Sequence, residues 1–235
     1  MKNAIEFKKE FVDLINELTC INPSVAIMRE DDRIFVSQSD KFQTLPYILS
    51  APYNYFDISD TIAFYKFADF HRYFSSVKDP ALQLKENSNS IVISGKVAKT
   101  KINYRLSSED GVSNGPREVL FGDGDALFTL TKDDLDEIVK INNLVKGDKA
   151  KIRCVGDKVN IRFYKNGSDN DFEKEFDCER TSENEEDFEF EILANRFENI
   201  PNKRDYAVYL SRESFIKISL IHEDIELNIY SGDAS

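Results

Sequence analysis

The sequence predicts an α+β fold made of two similar domains, each with two helices on antiparallel sheets. Three observations lead to this reading. The chain has 235 residues, 41% of them hydrophobic, enough for two domains of roughly 110 residues with buried cores. Short segments of alternating apolar and polar residues outnumber helical ones. The order helix, strands, short helix, strands occurs twice.

In the first half, residues 5–18 predict a helix because Phe7, Phe11, Leu14, Ile15 and Leu18 share one face, with Lys9 and Asn16 opposite. Strands are expected at 25–29 and 33–38, joined by a turn at Asp31 and Asp32, and further strands around 45–50 and 60–65. A second helix over 67–78 sets Phe67, Phe70, Phe74 and Val77 on one side and Arg72 on the other, and Pro80 stops it. Strands at 81–85, 90–96 and 100–106 complete this half. Residues 107–126 are rich in Gly, Ser and Asp and break the pattern, so they read as an interdomain connector. That connector nevertheless holds Val119, Leu120 and Phe121, an apolar cluster an idle linker does not need. The expected division is 1–107, a connector over 108–126, and 127–235.

In the second half, Thr131 and Asp134 form a capping pair that opens a helix over 132–146, with Leu135, Ile138, Val139 and Val145 as its apolar face. Strands are expected at 149–155, 158–164, 171–178 and 186–192. A short helix over 193–200 ends at Pro201, and strands at 205–210, 214–220 and 224–230 follow. Shifting the first half by 125 residues lays both helices and six strands on their counterparts in order. It places Ile91 to Ser94 on Ile216 to Ser219, and Lys101 to Tyr104 on Glu226 to Ile229. Residue identity between the halves is slight, so the repeat is one of pattern. Each half needs a sheet with one apolar face covered by its two helices, which leaves the other helix face available for function.

Charge and special residues narrow the function classes. There are 43 acidic and 31 basic residues, a formal charge of -12. That balance argues against general nucleic-acid binding, which needs Lys and Arg for the phosphates; any DNA-binding surface has to be a local concentration of cations. Cys20, Cys154 and Cys178 are far apart in sequence and form no CxxC pair, so a disulfide framework or zinc site has little support and reduced thiols are expected. No signal peptide or membrane-spanning run is visible, and a soluble, cytoplasmic protein is expected. His71 and His222 are the only histidines, and neither has a second ligand at a useful spacing. No phosphate-binding loop is present, and the Gly122 to Asp125 stretch lacks the ligands of a calcium loop. No enzymatic activity, metal or cofactor is expected.

Two stretches carry a family resemblance: residues 62–106, with FADFHRYFSSV followed by three strands, and residues 188–230, opening FEFEILANRFENIPNKRDYAVYL. Their order of elements resembles the sliding-clamp fold shared by proliferating cell nuclear antigen and phage clamps, and is most similar to the clamps of T-even-type bacteriophages. The resemblance covers nearly the whole chain but rests on distributed pattern, since the family has no short diagnostic motif. It implies a homotrimeric, ring-forming protein without enzymatic activity. Such a ring encircles double-stranded DNA, is placed there by an ATP-driven clamp loader and tethers the DNA polymerase. In phages it also works with late-transcription factors, and a viral clamp acts in the host cytoplasm.

The resemblance also assigns roles to positions. Clamp helices line a central hole and offer cations to phosphates without reading bases. The candidates here are Lys9, Arg72, Lys140, Lys146 and Arg196, with Asn16, Asn143 and Asn195 as neutral contacts, while Asp13, Asp133 and Glu137 weaken the field. An acidic exterior then keeps DNA off the outer surface. A ring needs a head-to-tail contact between different edges, which the family makes with the last strand of domain one and the strand at 171–178. Lys99, Lys101 and Arg105 alternate on the first, and Glu173, Glu175 and Asp177 on the second, so the charges are complementary. Partner peptides in the family enter an apolar pocket beneath the connector; the matching residues are Leu45, Val119, Leu120, Phe121 and Tyr230, the last expected to face outward while Ile225, Leu227 and Ile229 face inward. Two other readings stay open: a non-catalytic, β-rich viral protein-binding or structural module with an acidic docking surface, and a monomeric processivity factor of the same fold.

Overall fold

The computed structural model describes residues 4–85, 89–95, 100–112, 114–183 and 186–233. The chain divides into two compact units, one formed by residues up to 41 with 48–117, the other by residues 42–47 with 118 onward. The first half runs β1 (Ala4–Ile5), α1 (Lys9–Leu18), β2 (Val25–Glu30), β3 (Arg33–Gln38), β4 (Tyr47–Pro52), β5 (Ile62–Phe64), α2 (Phe67–Ser76), β6 (Pro80–Leu84), β7 (Ser90–Gly95) and β8 (Lys101–Arg105). The second runs β9 (Ala126–Leu130), α3 (Lys132–Val145), β10 (Lys149–Val155), β11 (Lys158–Tyr164), β12 (Asp171–Asp177), β13 (Glu179–Arg180), β14 (Phe188–Leu193), α4 (Asn195–Glu198), β15 (Tyr206–Ser211), β16 (Phe215–Leu220) and β17 (Glu226–Gly232).

The repeat read from the sequence is a repeat of hydrogen-bonded order. The first half orders its strands β1-β6-β7-β8 and β4-β3-β2-β5; the second orders them β9-β15-β16-β17 and β12-β11-β10-β14. Strand for strand these are the same two ladders, with β13 added beyond β9 in the second. The offset drifts along the chain. Ile93 pairs with Ile102 and Ile218 with Ile229, so it is 125 from 93 to 218 but 127 from 102 to 229. Lys101 to Tyr104 therefore lie two residues away from the match that a uniform shift gives.

Alternation explains why the strands form where they do. Along β11, Val159, Ile161 and Phe163 are wholly buried while Asn160 and Arg162 turn away, the period-two pattern of a sheet with one covered face. In the first unit the cover is aromatic. Phe67, Phe70 and Phe74 of α2 are almost fully enclosed, and Phe70 meets Phe64, Phe67, Phe74 and Tyr104 with ring centroids 4.9–6.0 Å apart. Each buried ring contributes on the order of 1.5–3 kcal/mol. In the second unit α3 opens with the expected capping box: Thr131 Oγ1 accepts from the Asp134 N–H, and the Asp134 carboxylate accepts from the Thr131 N–H at 3.2 Å.

Several expectations are corrected. The first helix starts at Lys9 rather than residue 5, because Ala4 and Ile5 pair with Gln83 and Leu82 of β6 and Phe7 bridges to Phe56. The ring of Phe7 still packs edge-on against Phe74 at 5.1 Å, so the apolar periodicity was real although the backbone is extended. The last helix is one turn long, since residue 193 still belongs to β14 and the Ala194 N–H donates to the Asp148 carbonyl at 3.0 Å. On α3 the buried side chains are Leu135, Ile138 and Asn142, whereas Val139 and Val145 are half-covered. Asn142 is 3% exposed and donates through Nδ2 to Glu198 Oε1 at 3.1 Å. The strands β9 and β13 are additional to those expected from the sequence.

Candidate nucleic-acid and partner interfaces

The helix candidates divide by environment. Lys9 is two-thirds exposed on the first turn of α1, and its Nζ meets Asp13 Oδ2 at 2.5 Å. Arg72 is similarly exposed on α2, pairs with Asp69 at 3.2 Å and stacks over the Tyr73 ring. Lys140 is exposed on α3, and Lys146 is exposed at its C-cap in the left-handed region, φ 55°. Arg196 is different. It is 8% exposed and its guanidinium donates to Thr44 Oγ1 at 2.6 Å, so it is part of the second unit's interior and is removed from the set of solvent-facing cations. On so short a helix the apolar stripe cannot fix which side chains point outward, which is why its exposure was misread.

Asp13 joins the two helices of the first unit. Its other oxygen lies 2.8 Å from His71 Nε2 on α2. Burial pushes the Asp13 carboxyl up, but hydrogen bonds from Lys9 and His71 outweigh it and hold it below the usual carboxylate range. Cations and anions are thus interleaved within each unit: α1 carries Lys9 against Glu10, Asp13 and Glu17, and α3 carries Lys132 and Lys140 against Asp133, Asp134, Asp136 and Glu137. Further cations sit in the loops after the second helix of each unit. Strand register places Ala207 where Ala81 lies, an offset of 126, which equates exposed Lys78 with half-buried Arg204. A search confined to helix faces misses both; the repeat itself is the signal that finds them.

The two edge candidates are both terminal strands in their ladders, β8 beyond β7 and β12 beyond β11. On β8, Lys101, Asn103 and Arg105 are exposed while Ile102 and Tyr104 are half-covered, and the Tyr104 hydroxyl donates to the Lys66 carbonyl at 3.0 Å. Lys99 lies outside the described residues. On β12, Glu173, Glu175 and Asp177 are exposed. Lys158 of the neighbouring strand already contacts Glu175 at 3.5 Å and also Asp177. The opposite side of β12 is tied to α3: Lys174 meets Asp134 at 2.9 Å and also Glu137. Burial lowers the Lys174 pKa, but these two carboxylates raise it above its ordinary value overall, while the Thr131 and Lys174 hydrogen bonds outweigh burial to hold Asp134 low.

The residues expected to form a partner pocket all lie in the second unit, but two are closed off. Leu45 is 1% exposed and Tyr230 6%. Alternation along β17 does bury Ile225, Leu227 and Ile229, yet the opposite side is covered too. The Phe121 ring sits 6.3 Å from both Phe215 and Tyr230, and the Tyr230 N–H donates to the Pro46 carbonyl at 2.9 Å. Burial, then the Glu118 charge, pushes the Tyr230 phenol above its ordinary pKa. Val119 is half-buried, whereas Leu120 is 90% exposed and Phe42, on the 42–47 segment, 77%. The connector is pinned beyond Phe121 by a turn that needs glycine: Gly124 has φ 78° and lies against the Leu210 carbonyl, and Asp125 bonds Arg212 at 2.8 Å. Its apolar cluster is therefore partly anchor, through Phe121, and partly free surface, through Leu120.

Among the described residues no cluster of three or more His, Cys, Asp or Glu is placed to hold a metal ion, and no helix is long and apolar enough to cross a membrane.

No protein-family model matches the sequence, and no curated protein matches it. Solved structures do. A proliferating cellular nuclear antigen from Entamoeba histolytica superimposes with a TM-score of 0.79 over 100% of both chains, at 14% identity. PCNA from Thermococcus kodakaraensis gives 0.77 over 98% of each chain, also at 14% identity. A. fulgidus PCNA, solved with the C-terminal region of FEN-1 bound, gives 0.73 at 10% identity over 99% of this chain and 98% of that one. The fold is that of the sliding clamps. The fold class expected from the sequence, a duplicated α+β clamp fold with helices on antiparallel sheets, is confirmed; at these identities the likeness establishes the fold alone.

Proposed function

We propose that the chain is a DNA sliding clamp: a non-catalytic subunit that closes into a homotrimeric ring around duplex DNA and tethers a replicative DNA polymerase. The observation that carries this reading is the full-length match of a duplicated two-ladder chain to clamp structures, because three such chains supply six equivalent domains for a ring. Residues 1–107 and 127–235 are the two clamp domains of this reading, with 108–126 between them. The functional setting of this reading is that of the T-even-type bacteriophages, with an ATP-driven clamp loader and late-transcription factors as further partners in the host cytoplasm.

In this reading the exposed cations Lys9, Arg72, Lys140 and Lys146 face DNA, supplemented by Lys78 and Arg204 from the loops. The contacts are weak by design of charge, since Asp13 and Asp69 already share Lys9 and Arg72; phosphate contacts that are easily exchanged suit a ring that slides. Ring closure joins β8 of one subunit to β12 of the next, setting Lys101 and Arg105 against Glu173, Glu175 and Asp177, with Lys99 as a further candidate cation. Such pairing would also cover two open strand edges. Partner peptides, of the kind bound in the A. fulgidus structure, dock on Leu120 and Phe42 and reach Tyr230 and Leu45 by displacing the Phe121 ring.

The test is retention on DNA. Protein threaded onto a linear duplex whose biotinylated ends are then blocked with streptavidin should stay bound through gel filtration in moderate salt and be lost once the blocked ends are cut away, because a ring held by topology enters and leaves through free ends. Equal retention before and after cutting would point to a monomeric factor gripping DNA, and no retention on either form to a protein-binding module.

A further inference from the structure

We propose that Cys154 and Cys178 form a redox-active dithiol, a modification site that an oxidised low-molecular-weight thiol such as glutathione disulfide closes into a reversible internal disulfide. The two cysteines are separated in sequence, but their sulfurs lie 3.9 Å apart and both thiols are free. Their spacing in the sequence gives no sign of this proximity. Cys154 is wholly buried on β10, one residue from its end. Cys178 is half-buried and is the single residue between β12, which pairs with β11, and β13, which pairs with β9.

The neighbourhood holds the pair in place. The Cys178 N–H donates to the Asp157 carbonyl at 2.9 Å, and Arg180 Nε donates to the Gly156 carbonyl at 2.7 Å. Both bonds fix the Cys178 segment on the hairpin that follows Cys154. A disulfide needs the sulfurs at about 2.0 Å, so closure has to draw them together from 3.9 Å. Burial holds both thiols above the ordinary thiol range, Cys154 at about 12, where the neighbouring Cys178 adds to the effect. The Arg180 guanidinium works against burial at both sulfurs, while Asp157 and Asp177 near Cys178 and Asp187 near Cys154 work with it. Thiolate is therefore scarce at neutral pH, so closure is slow.

The exchange balances in two steps. Cys178, the more accessible thiol, loses its proton and attacks one sulfur of the oxidised thiol, releasing the other half as a thiolate that takes up that proton. Cys154 then loses its proton and attacks the Cys178 sulfur, expelling the second half in the same way. Two protein thiols are oxidised and one small disulfide is reduced to two thiols. The new bond encloses residues 155–177 and links β10 to the point where the chain passes from one ladder of the second unit to the other, so it should raise the unfolding temperature.

The experiment uses the full chain carrying Cys20→Ser, which removes the exposed thiol. After incubation with glutathione disulfide, denaturation, alkylation and peptide mapping should find both thiols lost together and one peptide linking positions 154 and 178. The unfolding temperature should rise by on the order of 5 °C and return on adding dithiothreitol. Adding Cys154→Ala should trap a stable glutathione adduct on Cys178; if that variant fails to fold, the mapping of the Cys20→Ser chain decides alone. A persistent adduct on Cys178 with Cys154 still alkylatable, or two free thiols recovered from folded protein after prolonged exposure, would overturn the proposal.

Discussion

The two units share their ladders but not the chemistry of their helices. In the first, α2 runs from Phe67 to Ser76 and buries three phenylalanines; in the second, α4 is a single turn contributing Phe197, which meets Phe163 at 5.3 Å. The second unit compensates with polar ties, among them the capping box, the Asn142–Glu198 bond and the Lys174 pairs between β12 and α3. Strand pairing and alternation are therefore what duplication preserved, because a one-residue slip would turn every apolar side chain to the wrong face. Helix faces tolerate divergence, since a helix needs only some means of staying on its sheet.

The largest effect that would sharpen this contrast is expected from Phe70→Ala. A ring touching four others should cost about 3–5 kcal/mol on removal, and Phe197→Ala, at a ring with one aromatic neighbour among the described residues, should cost less; equal losses in denaturant titrations would break the comparison. Next comes Lys174→Ala, which leaves Asp134 and Glu137 without their partner on β12 and should cost about 1–3 kcal/mol, with hydrogen exchange rising along β12 and α3 but unchanged in α1 and α2. Thr131→Ala should cost about 1 kcal/mol through loss of the cap. Lys8→Ala should cost less, about 0.5–1 kcal/mol, because Lys8 makes no side-chain cap for α1 and loses only its ammonium contact 4.2 Å from the Tyr55 ring centroid.

The smallest expected difference is in acid. Asp13 in the first unit, and Asp125, Asp134 and Glu191 in the second, are each held below their ordinary pKa when folded. A depressed folded pKa means the contribution is complete above the ordinary value and is lost as the pH falls through the folded one. With three such groups against one, the second unit should lose hydrogen-exchange protection at a slightly higher pH than the first during acidification. Loss in the reverse order would contradict the assignment of polar ties to the second unit.

The sequence was most legible where period-two alternation met a covered face. The observed bounds at 33–38, 149–155 and 158–164 coincide with those expected. It was least legible where structure depends on partners distant in the chain. The two-residue β1 has no periodicity of its own and exists because β6 offers a free edge. Tyr230 reads as outward from the alternation of β17, yet it is buried, with Phe121 returning from the connector to lie beside it. Arg196 looks like a surface cation on a helix until Thr44, 152 positions earlier in the chain, is placed beside it. Cys154 and Cys178 look unrelated because their meeting follows from strand order rather than spacing.

The central claim, a closed ring of three chains, is tested most directly by sedimentation equilibrium of the purified protein and of its Lys101→Glu, Arg105→Glu double variant. The account predicts a particle of three 27.1 kDa chains for the parent and single folded chains for the variant. A parent that stays monomeric or dimeric at every concentration, or a trimer unaffected by reversing those two charges, would contradict it.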